Sequence, residues 1–420
     1  MADEDKRALR PETLTVGYGY DPSSARGAAK PPLYLTSTFV YDSAQHAKEV
    51  HRVFFDGARP GETPPEDYIY ARLGNPNMAM VERKLAALDG AEEAAGFASG
   101  MAAVNAVMMK HLRPGDSVLH GLPFYGGVDM LLNTVLSQFG VKSFAYADGL
   151  DRAAMQAAAD AAMASGPLRI IWAETPANPT GAVVDIGLAA EIAEAAAARQ
   201  GFKPLVVVDN TFLGPLLQSP LACGADLCLI SLTKYCGGHS DLLAGGVSGK
   251  SELIGPIKTI RTFLGGHMDP HTAWLLYRSF ETLHLRTERA CENALALGRF
   301  LKAHPKVAGV TFVGLAEPGS REHALMQRQC RGAGSTFSFR VDGGEAEAFR
   351  FLDALRLPRV AVSLGGTETL ICHPASTTHY PIARDRLEAA GVTEGSLRLS
   401  VGLEHIDDLI ADFGHALDRI

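Results

Sequence analysis

A chain of 420 residues is too long for one small core and calls for two or three packed units. Its formal net charge of -8 gives it no general attraction for nucleic acid or an acidic membrane, and it has no run of about 20 apolar residues to cross a bilayer. The charged N-terminus MADEDKRALRPETL lacks an apolar signal core, and the six cysteines form no C-x-x-C pair and read as reduced thiols, so a cytoplasmic location is expected.

Residues 1–68 are poor in regular pattern and rich in Gly and Pro, with a turn-rich polar loop at 56–67 (DGARPGETPPED). They read as an arm that wraps on something else, such as another subunit. From residue 70 to residue 266 helix and strand alternate. Helices are expected over 77–88, 100–111, 128–139 and 186–199, and strands over 117–120, 168–174 (LRIIWAE), 205–209 (LVVVD) and 227–231. Short apolar strands between helices imply a mainly parallel sheet covered on both faces. Residues 269–303 then read as one or more long helices. The remainder mixes strands such as 335–341 with helices such as 345–355. The expected division is an arm (1–68), a large α/β domain (69–268) and a smaller α+β domain (269–420).

Ligands of parallel α/β sheets bind beyond the carboxyl ends of the strands, so those ends were searched for chemistry. Asp209 closes LVVVD, where a buried carboxylate needs a partner such as a protonated ring nitrogen. Ser231, Thr233 and Lys234 follow the next strand. Two hydroxyls suit a phosphate, and the lysine can form a Schiff base with an aldehyde. Ser99, Gly100 and Met101 open a helix whose free N–H groups suit an anion. The run ETPANPTG turns Asn178 towards a cleft. Each piece alone is equally a turn, a cap or a surface lysine. Together they supply what pyridoxal phosphate (PLP) chemistry requires. Three other features carry less. GGVSGKS at 245–251 lacks the first glycine of a P-loop, since that position is Ala244. His267 and His271 have helical metal spacing but no adjacent carboxylate or thiol. Cys236, two residues after Lys234, reads as a small buried thiol that merits watching.

The motifs Tyr70-Ala71-Arg72-x-x-Asn75-Pro76, Ser99-Gly100-Met101, Tyr125-Gly126-Gly127, ETPANPTG, VVVDNTF, SLTKYCGGHSD, SLGGTETL, HPASTTH and LRLSVGLE occur in that order. On them the chain resembles the Cys/Met-metabolism PLP enzymes from about Val16 to the C-terminus. That family includes the cystathionine γ-synthases, the cystathionine γ- and β-lyases and the methionine γ-lyases. The resemblance implies an α/β, PLP-dependent transferase fold of type I (aminotransferase-like), PLP as cofactor, an amino-acid substrate and a homotetramer of two catalytic dimers. It implies that Lys234 carries PLP, Asp209 pairs with the pyridine nitrogen, and Gly100, Met101, Ser231 and Thr233 hold the phosphate. Tyr70 and Arg72 would complete that phosphate site from the neighbouring subunit. Tyr125 would stack on the ring and move protons, Asn178 would support the ring hydroxyl and the substrate, and Arg398 with Ser363 would bind the substrate carboxylate.

The expected activity is a γ-lyase acting on a γ-substituted 2-aminobutyrate. Methionine, homocysteine or cystathionine lead, and canavanine or another O- or Se-substituted homoserine is a further possibility. The alternatives are γ-replacement of the cystathionine γ-synthase kind and, in another class, a non-catalytic PLP-binding regulatory protein, which Lys234, Tyr125 and Arg398 argue against. Methionine γ-lyases usually carry Cys where this chain has Gly127, a Lys-Asp pair where it has Arg261-Thr262, and Gly where it has Ser240. Against that, Gly-Tyr-Asp-Pro, HPASTTH and LRLSVGLEHIDDL look most like methionine γ-lyase, and Leu364 weighs against β-lyase, where Trp often stands. Cys236 and the loop 52–67 were expected near an active-site entrance.

Overall fold

The computed structural model describes residues 9–57, 59 and 67–420. Its larger sheet has seven strands: β1 (Glu93–Phe97), β2 (Ser117–Gly121), β3 (Lys142–Tyr146), β4 (Leu168–Glu174), β5 (Leu205–Asp209), β6 (Leu227–Ile230) and β7 (Gly245–Gly249). Their order is β1-β7-β6-β5-β4-β2-β3. The five strands from β3 to β6 pair in parallel, and β7 runs antiparallel to both of its neighbours. The central strands are continuous apolar runs because both faces are covered. Val206, Val207 and Val208 are wholly buried, each contributing roughly 1.5–3 kcal/mol. Val206 and Val208 face one core with Ile171 and Ile192, while Val207 faces the other with Trp172 and Val107.

The helix Gly100–His111 starts where Ser99 accepts the Ala102 N–H at 3.1 Å, and its last turn carries Lys110, whose charge suits the helix dipole. Glycine at position 245 is what lets this helix start so near the sheet: a Cβ there would lie 2.3 Å from the Ser99 carbonyl oxygen. The same segment, GGVSG, is therefore strand β7 and not a phosphate loop.

A second, five-stranded sheet follows: β8 (Val307–Thr311), β9 (Thr336–Val341), β10 (Arg359–Val360), β11 (Leu370–Cys372) and β12 (Ser396–Ser400), ordered β10-β11-β12-β9-β8. It packs its own core, with Phe337, Phe351 and Phe413 fully buried against the helices Leu283–Ala303, Glu345–Ala354 and Ile406–Leu417. The chain is thus an α/β protein with a mainly parallel large sheet and a mixed small one.

Several elements differ from the sequence expectation. The helix expected over 128–139 is a short helix (Gly126–Met130), a π turn (Leu131–Val135) and a 3-10 turn (Leu136–Phe139). Thr134, Ser137 and Gln138 each donate a side-chain hydrogen bond to the carbonyl four residues back, competing with the regular ladder. Residues 269–303 are two helices, Pro270–Phe280 and Leu283–Ala303. The N-terminal segment is more regular than its composition suggests. Ser43 caps a helix, Ala44–Asp56, and the first helix, Pro11–Gly17, buries Leu14 in the chain's own core. Trp274 Nε1 donates to the Pro31 carbonyl at 3.0 Å, so this part of the arm docks on its own subunit. Of the 52–67 loop, residues 52–56 belong to the helix Ala44–Asp56, and 58 and 60–66 lie outside the described residues. No described helix is long and apolar enough to cross a membrane.

Candidate active site

Lys234 follows β6 and is half-buried. Its Nζ donates to Ser363 Oγ at 2.7 Å, joining the large sheet's end to the segment before β11. Burial, with the nearby Arg398 charge, brings the ammonium down to about 8 from the ordinary lysine value. Ser363 is a non-glycine residue at φ 86°, a conformation that costs of order 1–3 kcal/mol and is found where surrounding structure holds a functional geometry. Its carbonyl accepts from Arg398 Nη2 at 2.8 Å, and Arg398 Nη1 donates to Asn178 Oδ1 at 3.1 Å. Arg398 lies on β12, is buried, and faces no carboxylate within ion-pair distance among the described residues; its Nε is buried with no partner. A buried guanidinium with an unused N–H is prepared for an incoming carboxylate.

Asp209 ends β5 and stands opposite Glu174, the last residue of β4, in the parallel register. Thr211 N and Oγ1 donate to Asp209 Oδ1 at 3.0 and 2.6 Å, and no described residue donates to the other oxygen. Glu174 Oε2 accepts the Tyr125 N–H at 2.7 Å and Oε1 the Asn178 N–H at 2.6 Å. Burial pushes both carboxyls up, and the Asp209 charge pushes Glu174 further. Neither has a cation within ion-pair distance among the described residues. Two buried carboxylates in this state favour a positively charged guest. Sequence reasoning passed over Glu174, although it ends an apolar strand just as Asp209 does.

Tyr125 is 41 % exposed; burial of the rest of it, with the Glu174 and Asp209 charges, raises its phenol above the usual value. A Cβ at position 127 would lie 2.6 Å from Tyr125 Cε1 and 3.2 Å from Met101 Sδ. Glycine at 127 is therefore what leaves room for the tyrosine ring in this pose. Gly100 touches Ser231 closely, since a Cβ on it would meet Ser231 Oγ at 3.1 Å. Helix N-terminus and serine hydroxyl thus meet as expected. Thr233 behaves differently. Its hydroxyl donates to the Ala244 carbonyl at 3.1 Å and accepts the Ala244 N–H at 2.9 Å, so it ties strand to loop. Tyr70 and Arg72 keep each other's company, the guanidinium 5.7 Å from the ring centroid, and Arg72 Nη1 donates to the Thr262 carbonyl at 3.0 Å. No hydrogen bond or ring contact joins either to Lys234, Asp209, Ser231 or Gly100 within the chain.

One expectation about the surroundings is corrected. Cys236 is the small buried thiol it was read as, but it is packed in the hydrophobic core and not at an entrance, and burial pushes its thiol up to about 12. Arg261 is buried as well, donating to Glu82 Oε1 at 2.5 Å and to the Gly96 carbonyl at 2.8 Å.

Residues 12–418 match the family model of the Cys/Met metabolism PLP-dependent enzymes. The chain belongs to that family. It is 39 % identical to the L-methionine gamma-lyase of Pseudomonas putida over 407 residues, 96 % of each chain. It is 38 % identical over 408 residues to the cystathionine gamma-synthase of Mycobacterium bovis, covering 97 % of this chain and 96 % of that one. The crystal structure of cystathionine gamma-lyase from Lactobacillus plantarum, complexed with L-serine, superposes with a TM-score of 0.85 at 33 % identity, covering 98 % of this chain and 99 % of that one. The fold is therefore fold type I and the cofactor PLP. The activity is of the γ-elimination or γ-replacement kind, on an amino acid. The residues present fit the cofactor. A free carboxylate oxygen on Asp209 faces no protein donor, an amine on Lys234 is partly relieved of its proton, and a helix start meets a serine hydroxyl.

Proposed function

We propose that this chain is a γ-lyase that eliminates the γ-substituent of a 2-aminobutyrate-type amino acid, with methionine-like substrates first. The observation that carries the site assignment is the continuous set of hydrogen bonds from Lys234 through Ser363 and Arg398 to Asn178. It supports the reading because one serine links an amine to a guanidinium with an unused Nε, an arrangement that suits an α-amino acid.

PLP, when bound, supplies an electron sink joined to the substrate amine. Lys234 would hold the cofactor at rest, Asp209 would pair with its ring nitrogen, and Gly100, Met101 and Ser231 would hold its phosphate. Arg398 and Asn178 anchor the substrate carboxylate, which fixes Cα near Lys234 Nζ. The lysine, brought down to about 8, has a larger neutral fraction near neutral pH than an ordinary lysine; it would take the Cα proton, hand it on to the substrate–PLP pair, and only then take one from Cβ. Tyr125 keeps its proton because its phenol is raised, and gives it to the departing γ-group. With one water taken up to hydrolyse the released enamine, the products are 2-oxobutyrate, ammonia and the protonated γ-substituent. Tyr70 and Arg72 stand apart from this cluster within one chain, which supports a second copy supplying them and the assembly being a homotetramer. A cytoplasmic location belongs to the same proposal.

The second reading is γ-replacement: Gly127 is the residue cystathionine enzymes, lyases and synthases alike, carry there, and the likeness to a cystathionine gamma-synthase is nearly as high as that to a methionine gamma-lyase. The test is a visible absorbance scan followed by a screen for 2-oxo acid release from methionine, homocysteine, cystathionine, O-acetylhomoserine, canavanine and cysteine. Homoserine release from canavanine is assayed alongside. A visible band that Lys234→Ala abolishes, with 2-oxobutyrate from one γ-substituted substrate, is the expected result. Turnover only when a thiol is added would replace the lyase by the synthase. A band that survives in Lys234→Ala would overturn the PLP assignment of that lysine, and a lysine-dependent band without any turnover would leave the regulatory-protein reading.

A further inference from the structure

We propose that Glu174 is a positioning residue: one buried carboxylate that sets the ring-stacking Tyr125 and the substrate-side Asn178 in register with each other. The inference rests on the reading of Tyr125 and Asn178 as site residues given above.

Glu174 is 6 % exposed and is fixed by the end of β4 in the middle of the sheet. Its two oxygens are divided between two separate loops. One accepts from Tyr125 at the start of the Gly126–Met130 turn, the other from Asn178 in the turn after β4. The two N–H bonds favour the ionised form against the rise that burial and Asp209 impose, and one planar group at a strand end holds both loops. The contacts continue. Asn178 Oδ1 accepts from Arg398, Arg398 donates to the Ser363 carbonyl, and Ser363 Oγ accepts from Lys234. Glu174 therefore stands at one end of a path whose other end is the amine. It contacts neither the amine nor Asp209 by a hydrogen bond.

A carboxylate is a costly choice for this task. It is buried without a cation among the described residues and lies beside a second carboxylate, where a neutral residue would cost less desolvation. What it gains is geometry. Its two equivalent acceptors on one planar group meet two N–H donors, and a glutamine amide cannot do this because one of its two ends is a donor.

The test compares Glu174→Gln, Glu174→Asp and Thr175→Val in the holoenzyme. Thr175 Oγ1 accepts the Val184 N–H at 3.0 Å, so its loss loosens the same turn without touching Tyr125 or Asn178. The readouts are kcat and KM on the substrate found above, circular dichroism of the visible cofactor band, and Tm. Glu174→Gln should lower kcat roughly 10–100-fold and weaken the dichroic band while absorbance persists, because a misplacement of about 1 Å can cost about 100-fold. Glu174→Asp keeps the charge but cannot span both donors, and should also lose activity. Thr175→Val should lower Tm and leave kcat and the dichroic band within about twofold of the parent. Should either Glu174 variant resemble Thr175→Val, with only Tm changed, the residue is structural and the proposal is wrong. If neither variant folds, amide hydrogen exchange in the unsubstituted protein decides: slow exchange at Tyr125 and Asn178 is expected, and exchange at the unprotected rate overturns it. The dichroism and exchange readouts do not need turnover. They therefore separate failure of this inference from failure of the γ-lyase reading, which the Lys234→Ala band tests alone.

Discussion

Among the described residues, burial lowers the ammonium pKa of two lysines, and only one of them has polar neighbours with hydrogen-bonding capacity to spare. Lys84, on the helix Pro76–Asp89, is 0 % exposed, and burial brings its ammonium down to about 7. Lys234 is brought down to about 8 by the same cause. The difference lies in what surrounds them. Lys84 Nζ donates to the Thr15 carbonyl at 2.8 Å and sits 3.7 Å from the Tyr277 ring centroid, so its charge is met by a carbonyl and a π face in a sealed core. Lys234 has one serine hydroxyl and an adjacent guanidinium with an unused Nε. A shifted amine marks chemistry only where the neighbouring polar groups are left unsatisfied and reachable.

The comparison is broken or sharpened by substitution. The largest effect is expected at Arg398. Arg398→Lys keeps the charge but loses the fork, and kcat/KM should fall roughly 10–100-fold, mostly through KM, as loss of a charged hydrogen bond implies. An unchanged KM would show that the guanidinium is as structural as Lys84.

Next comes Gly127→Cys. The added Cβ would start 2.6 Å from Tyr125 Cε1, so the ring must swing away. A loss of roughly 10-fold in kcat is expected, with Tm changed little because the ring is half-exposed. A crystal structure of the variant with Tyr125 in place would refute the crowding argument.

The smallest activity effect is expected at Lys84. Lys84→Met should leave kcat/KM within about twofold, and its signature is thermodynamic. Lys84 binds a proton less readily folded than unfolded. Between about 7 and its ordinary value near 10.5 the unfolded chain therefore holds more protons, and stability rises with pH. Removing the group should flatten that rise by up to about 1.4 kcal/mol per pH unit, so the variant's relative stability is greatest near pH 7 and declines towards pH 10. Denaturant unfolding across that range checks it, and parallel curves for parent and variant would show that Lys84 is not shifted.

Apolar runs and strand ends were legible in the chain itself. LRIIWAE and LVVVD are β4 and β5 residue for residue, because a strand covered on both faces needs no alternation and announces itself by β-branched density. The lysine, the aspartate at a strand end and the helix opened by Ser99 were readable for the same reason: parallel sheets place chemistry where strands stop. β7 was not readable. GGVSG has no strand propensity, and it is a strand because glycines alone fit between Ser99 and Leu85. The broken turn over 126–139 was hidden too, since side chains bonding back to the preceding carbonyls compete with a helix that periodicity favours.

The sequence by itself determined the fold class, the family and the identity of the groups that can act, because these follow from residue type, order and local spacing. Only the tertiary structure decided which groups share an environment. It brought Ser363 and Arg398 from the second sheet to Lys234 and Asn178 of the first, turned Thr233 to Ala244, sank Cys236 into the core, and set Glu174 between Tyr125 and Asn178. The meeting of the two sheets depends on packing between segments more than a hundred residues apart, such as the 129 separating Lys234 from Ser363. No local pattern of side chains encodes such a distance.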